Sequence, residues 1–196
     1  MMKIAVLGGT FNPIHLGHIA MAEYVAGQMG FDKICFLPNG QPPHKTADGI
    51  ADKFHRLEMV KLATQDNDKF YVSDYEINRD KHCYTVDTVK YFNSLDDNEY
   101  HFIIGADSLF MLDTWKNSQE LKKICSFIIC DRDGNKNTDA EIARHKATGC
   151  RMVKADMPLI NITSTDIRNM IKNGESIDKY VPTPVADYIL KYNLYK

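Results

Sequence analysis

The chain has 196 residues, with 24 Lys+Arg against 26 Asp+Glu and a formal net charge of -2. That length suits one domain whose core needs no disulfide or metal to hold it. Balanced charge argues against broad nucleic-acid binding, and no apolar run approaches the ~20 residues of a membrane span.

The first residues, Met1–Leu7, run straight into Gly8-Gly9. This stretch is too short for a secretion signal and has no small-residue cleavage site, so a cytoplasmic location is expected. Five cysteines without a C-x-x-C pair suit neither a disulfide scaffold nor a zinc ribbon, and read as small buried apolar residues.

Lys3–Leu7 reads as a strand ending at the glycine pair. From Leu16 to Met29, Ala22, Val25, Ala26 and Met29 recur at helical spacing, and Gly30 stops the helix. Lys33–Pro38 is a second strand, and a Pro- and Gly-rich loop follows from Asn39 to about Asp52. Phe54–Ala63 reads as a helix with Phe54, Leu57 and Val60 on its apolar side. Next come a strand at Phe70–Ile77, a helix at Val86–Leu95 and a buried strand at His101–Gly105. Helical signal then runs from Ser108 to Ile124, before a strand at Ser126–Cys130, a helix at Ala140–Ala147 and a strand at Arg151–Ala155. Two helices close the chain: one opens at Thr163/Ser164 and ends at Gly174, and one follows Pro182 and Pro184.

This alternation predicts a doubly wound, mostly parallel α/β sheet with a C-terminal helical part at about 163–196, all within one domain spanning 1–196. Such sheets bind ligands beyond the carboxyl ends of their strands, here just after Leu7, Leu37, Gly105 and Cys130.

The turn Gly8-Gly9-Thr10-Phe11-Asn12-Pro13-Ile14-His15-Leu16-Gly17-His18 joins the first strand to the first helix. Glycines let backbone amides approach a ligand, and a helix N-terminus offers N–H donors to an anion. His15 and His18, three apart, fall on one helix face. A phosphate site with imidazole donors fits this pattern; zinc would need a third ligand that does not follow. Thr163 and Asp166 match a capped helix start. With Ser164, Thr165 and Arg168 that start is either a cap alone or a second anion-binding surface. Asp107, just past a strand, is either an N-cap or a hook for ribose or metal. Trp115, the one tryptophan, is either core or a stacking face for a base or pyridine ring. His44-Lys45 sit on a proline-stiffened loop.

Together these segments resemble the nucleotidyltransferase superfamily with the G-x-F-x-P-x-H-x-G-H signature, which Gly9–His18 carries in full. Ile162–Arg168 is similar to that superfamily's second signature, of the I-S-S-T-x-I-R type, with Thr163 in place of the first serine. Within the superfamily the chain resembles the bacterial nicotinate-nucleotide adenylyltransferases over nearly its full length. Pro42–Lys45, Arg56–Met59, Tyr84–Thr88, Gly105–Trp115 and Val181-Pro182 carry that likeness. Position 12 is Asn where many relatives have Asp, and Lys116 stands where an aromatic often follows the tryptophan.

The resemblance implies a Rossmann-like fold and an enzyme of NAD biosynthesis. It would join ATP to nicotinate mononucleotide, giving deamido-NAD and pyrophosphate, with Mg²⁺ accompanying ATP and no protein-bound metal. Alternative acceptors on the same fold are nicotinamide mononucleotide and phosphopantetheine. The expected partners are these small molecules, not nucleic acid or membrane, and a homo-oligomer is left open. The resemblance gives His15, His18 and Arg168 the catalytic roles. It gives Gly8, Gly9, Thr10, Phe11, His15, His18, Gly105, Asp107, Ile162, Ser164, Thr165 and Arg168 to ATP. Lys45, Thr85, Trp115 and Arg132 fall to the acceptor.

Overall fold

The computed structural model describes residues 1–40, 49–79, 82–131, 136–158 and 161–196. Strands β1 (Lys3–Gly9), β2 (Lys33–Pro38), β3 (Phe70–Val72), β4 (Glu99–Gly105), β5 (Ser126–Cys130) and β6 (Arg151–Ala155) form one sheet. Their order is β3-β2-β1-β4-β5-β6, and every neighbouring pair is parallel. The helices are α1 (Leu16–Gln28), α2 (Lys53–Thr64), α3 (Thr85–Leu95), α4 (Ala106–Met111), α5 (Ser118–Ile124), α6 (Lys136–Ala147), α7 (Ser164–Lys172) and α8 (Thr183–Lys191). This is the doubly wound architecture that the sequence predicts.

Alternating side chains along each strand decide the layers. Ala5, Leu7, Ile34, Phe36, Ile128 and Cys130 face one side, where α1, α2, α7 and α8 deliver Val25, Val60, Ile167 and Ile189. Ile4, Val6, Cys35, Leu37, Phe127 and Ile129 face the other, against Val86, Val89 and Phe92 of α3, Leu109 of α4 and Leu121 of α5. None of the five cysteines is in a disulfide; Cys35, Cys125, Cys130 and Cys150 are buried, and Cys83 is half-buried. Burial pushes the Cys35 thiol up to about 12. Among the described residues, no helix is long and apolar enough to cross a membrane.

Several elements differ from the sequence reading, among them α6, which starts at Lys136 and not at Ala140. β3 stops at Val72, and the chain turns at Tyr75–Asn78, closed by the Asn78 N–H on the Asp74 carbonyl at 3.0 Å. Ile77 supplied the strand signal because it is fully buried, but it packs down from that turn. The expected helix from Ser108 to Ile124 is two helices, α4 and α5, separated at Trp115–Asn117, where Asn117 takes a left-handed φ of 52°. In α2, Phe54 is 58% exposed and Arg56 is 1% exposed. Arg56 and not Phe54 shares the inward face with Leu57 and Val60.

The sheet order reverses between β1 and β4, whose last paired residues are Leu7 and Ile103. Beyond that pair β1 runs into its glycine turn and β4 into Gly105, the reversal at which sheets of this kind bind ligands.

Candidate active site

The turn after β1 is shaped by Gly9 and Phe11. A Cβ at Gly9 would lie 3.1 Å from the Phe11 ring, which would have to shift by a few tenths of an ångström to admit it. Phe11 has a φ of 48° and is 2% exposed. Its ring meets His18 edge-on, centroids 5.1 Å apart, and this contact braces the imidazole.

His15 is the N-cap of α1, and its Nδ1 accepts from the Gly17 N–H at 3.2 Å. His18 Nδ1 accepts from the His15 N–H at 3.3 Å, so the two imidazoles complete a reciprocal cap. Their centroids are 3.8 Å apart. A neutral imidazole accepting at Nδ1 carries its proton on Nε2, so both rings present Nε2–H donors. The helix amides do not add to them. Leu16 N–H donates to the Tyr180 carbonyl at 2.8 Å, and the His18 and Ile19 N–H groups donate to the His15 carbonyl. With the Gly17 N–H on the His15 ring and the His15 N–H on the His18 ring, the four amides at the start of α1, those of His15, Leu16, Gly17 and His18, are taken. The sequence expectation of a ready amide site at this helix start is corrected: the donors here are the side chains.

α7 docks on the same turn. Ser164 Oγ donates to the Pro13 carbonyl at 2.9 Å, and one Arg168 arm donates to the Asn12 carbonyl at 2.9 Å. The second Arg168 arm donates to Thr165 Oγ1 at 3.1 Å. Thr163 caps α7, accepting from the Asp166 N–H at 3.1 Å while Asp166 accepts from the Thr163 N–H at 2.9 Å. The Thr163 hydroxyl also donates to that carboxylate, and it and the Thr163 N–H hold the Asp166 carboxyl below its usual range. Ile162 lies beside α1, its Cγ2 3.5 Å from where a Cβ on Gly17 would sit.

Thus the turn brings together Gly8, Gly9, Thr10, Phe11, His15 and His18 with Ile162, Ser164, Thr165 and Arg168. Gly105 is the N-cap of α4, and Asp107 stands exposed in that helix's first turn. Thr85 opens α3, and Trp115 ends the 3₁₀ turn Leu112–Thr114. The Lys116 ammonium sits 4.3 Å from the centre of the Tyr84 ring, which ties the residue before Thr85 to the residue after Trp115. Trp115 is half-buried and packs on the second core cluster. Lys45 and Arg132 lie outside the described residues.

Sequence reasoning missed three polar residues under the turn. Arg56 donates from Nε to the Ala51 carbonyl at 3.1 Å and from NH1 to the Thr10 carbonyl at 2.7 Å. It also donates from NH1 to Asn39 Oδ1 at 3.2 Å and from NH2 to the Gly40 carbonyl at 2.6 Å. Burial lowers its pKa from the usual arginine value. Asn12, 4% exposed, donates to the Gly49 carbonyl and accepts from the Ala51 N–H, each at 2.9 Å. An aspartate there would leave the Gly49 carbonyl without its donor, which accounts for Asn at position 12. The one available signal was the position of Arg56, one residue before Leu57 on an otherwise apolar stripe.

Among the described residues, one group has metal-ligand spacing. Asp113, Glu141 and His145 bring ligand atoms within 4.8 Å of one another. However, Arg144 pairs with Asp113 at 2.7 Å and with Glu141 at 2.5 Å, and Lys122 also pairs with Asp113. Cations of the chain occupy the place a metal would take, so this is an ion-pair network.

The chain matches the cytidylyltransferase-like family model over residues 6–170. It is 40% identical, across all of this chain and 95% of the relative, to a probable nicotinate-nucleotide adenylyltransferase of Thermoanaerobacter sp. (strain X514). It is 41% identical over the full length of both chains to another of that name from Caldicellulosiruptor bescii. Among solved structures, the nicotinic acid mononucleotide adenylyltransferase of Plasmodium falciparum complexed with NaAD has the same fold. The TM-score is 0.84 at 21% identity, covering all of this chain and 98% of that one. A histidine-capped turn at the sheet reversal and full-length likeness to these relatives agree: the chain belongs to the nicotinate-nucleotide adenylyltransferase family.

Proposed function

We propose that the chain, acting as one nucleotidyltransferase domain over 1–196, joins ATP to nicotinate mononucleotide, giving deamido-NAD and pyrophosphate in NAD biosynthesis. The observation that carries this reading is the His15–His18 pair, capped through Nδ1 so that two Nε2–H donors are fixed side by side. The mononucleotide phosphate is already an anionic nucleophile at neutral pH. It attacks the α-phosphorus of ATP in line, and pyrophosphate leaves opposite. No strong base is needed, so the protein's work is positioning and neutralising charge.

In this reading His18 donates to the α-phosphate as charge builds there, while His15 and Thr10 hold the phosphate chain. Ser164 and Thr165 serve its β,γ end through their backbone N–H groups, which lack intrahelical acceptors at the first turn of α7. The Ser164 hydroxyl is already committed to the Pro13 carbonyl. Thr165 Oγ1 accepts from Arg168, so its own proton is directed outward. Arg168 adds charge. Ile162 lines the adenine site, Gly105 and Asp107 the ribose, and Gly8, Gly9 and Phe11 shape the floor. Thr85 and Trp115 hold the nicotinate ring, with Lys45 and Arg132 on the acidic acceptor. Mg²⁺ enters as part of the Mg-ATP substrate. The donor set fits that role: hydroxyls, imidazoles, amides and a guanidinium face the phosphates, and Asp107 is the exposed carboxylate in the first turn of α4. The reduced thiols fit a cytoplasmic setting.

The test offers purified protein Mg-ATP with nicotinate mononucleotide, nicotinamide mononucleotide or phosphopantetheine, and follows pyrophosphate release. Nicotinate mononucleotide is expected to give the highest kcat/KM. A higher value for either of the other two would overturn the assignment.

A further inference from the structure

We infer that Arg56 and Asn39 form a relay that turns the Thr10 hydroxyl into a hydrogen-bond donor for the ATP phosphates; this rests on the proposed reading that ATP binds at the turn after β1. Neither residue touches substrate in this inference, and both are positioning residues.

Orientation follows from donor and acceptor rules alone. An arginine side chain can only donate. Arg56 NH1 reaches Asn39 at 3.2 Å, so the Asn39 atom facing it is the amide oxygen. The Asn39 amide nitrogen then faces Thr10 and donates to Thr10 Oγ1 at 3.3 Å. A hydroxyl accepting on one side must send its own proton elsewhere. The Thr10 proton is thereby kept off its neighbour Asn39.

Arg56 is held where it can impose this order. Its guanidinium is 1% exposed, and the oxygens around it belong to Thr10, Gly40, Ala51 and Asn39, none of them charged. Among the described residues no carboxylate is hydrogen-bonded to it, and the Asp52 charge only partly opposes its burial; a buried cation costs free energy unless its donors are used. Here every nitrogen of the fork is in use. The ends of β1 and β2 are pinned to each other as well, since the Asn39 N–H donates to the Gly9 carbonyl at 2.9 Å. Gly40 has no room for a side chain: a Cβ would lie 2.5 Å from the Glu76 carbonyl oxygen. Backbone on three sides fixes the fork, and the fork fixes the amide.

Asn39→Asp separates this role from simple scaffolding. The aspartate keeps an ion pair with Arg56 but has no proton to give, so the Thr10 hydroxyl must donate to it. The expected result is a melting temperature at or above the wild-type value. ATP affinity, measured by calorimetry without acceptor, should fall about tenfold or more, the scale of one hydrogen bond to a charged group. In a Thr10→Val background the same change should bring no further loss. Wild-type ATP affinity in Asn39→Asp, or a loss that persists in Thr10→Val, would overturn the relay. Should Asn39→Asp not fold, Thr10→Val decides. Valine should bind ATP about tenfold more weakly than the wild type; wild-type affinity would overturn the inference. Because ATP binding is read without acceptor, a wild-type protein that binds ATP but ignores nicotinate mononucleotide would sink the proposed reaction and leave this test standing.

Discussion

At the scale of single residues, the site depends on lone pairs being committed before substrate arrives. His15 and His18 spend Nδ1 on backbone amides, which fixes both rings and leaves Nε2 as the donor. His18→Ala removes one such donor, along with the cap on the His15 amide. We expect kcat for pyrophosphate release to fall by about 10²–10³, the scale for losing one transition-state donor, while circular dichroism still reports a folded chain. A kcat within threefold of wild type would remove His18 from the chemistry. The histidines were legible in sequence because one short segment contains the whole arrangement. Arg56 and Asn39 were not, because their partners come from three separate stretches of chain. A lone arginine in a helix reads as solvated until its acceptors are known. The same holds for Asn12, whose amide is matched to the Gly49 carbonyl and the Ala51 N–H some forty residues away in sequence.

At the scale of elements, α7 matters for where it starts. Its capping box sets the first turn, and Ser164 and Arg168 bolt that turn to Asn12 and Pro13. Thr163→Ala should cost about 1 kcal/mol. For a chain of this size that lowers the melting temperature by about 2–4 °C. We also expect KM for ATP to rise more than kcat falls, because the first-turn amides lose their fixed direction. An unchanged KM with a lowered melting temperature would confine the cap to stability. Element types were readable from periodicity wherever an element is buried on a regular face: β1, β2 and β5 carry unbroken apolar runs. Periodicity failed where an apolar residue packs from a turn, as Ile77 does. It failed again where one left-handed residue, Asn117, splits a helical stretch into α4 and α5.

At the scale of the whole molecule, two histidines outside the site govern how stability responds to acid. His145 is 1% exposed, and its pKa is lowered first by burial and then by Arg144 and Lys122. His101 is lowered too, mainly by burial, with Glu99 partly opposing. Both therefore take up protons more readily when unfolded. Between the unfolded value near 6.5 and the lower folded value, the unfolded chain binds more protons, so stability falls as pH drops through that window. Urea midpoints should decline from pH 7.5 to pH 5.5, and His145→Gln should flatten the decline. Parallel curves for variant and wild type would rule His145 out as a source. Further down, Asp113 is held at about 2 by Lys122 and Arg144. Its pairing lends stability above the ordinary carboxylate range and loses it as pH falls toward 2.

The sheet also sorts the thiols. Cys35, Cys125, Cys130 and Cys150 are sealed within or beside the strands, while Cys83 is only half-buried, two residues before Thr85. A thiol-reactive dye applied to the native protein would therefore collect at Cys83 without any engineered cysteine. An environment-sensitive fluorophore there would test in real time whether the proposed acceptor binds beside Thr85. The layering that builds the core thus also supplies a native handle for optical measurement.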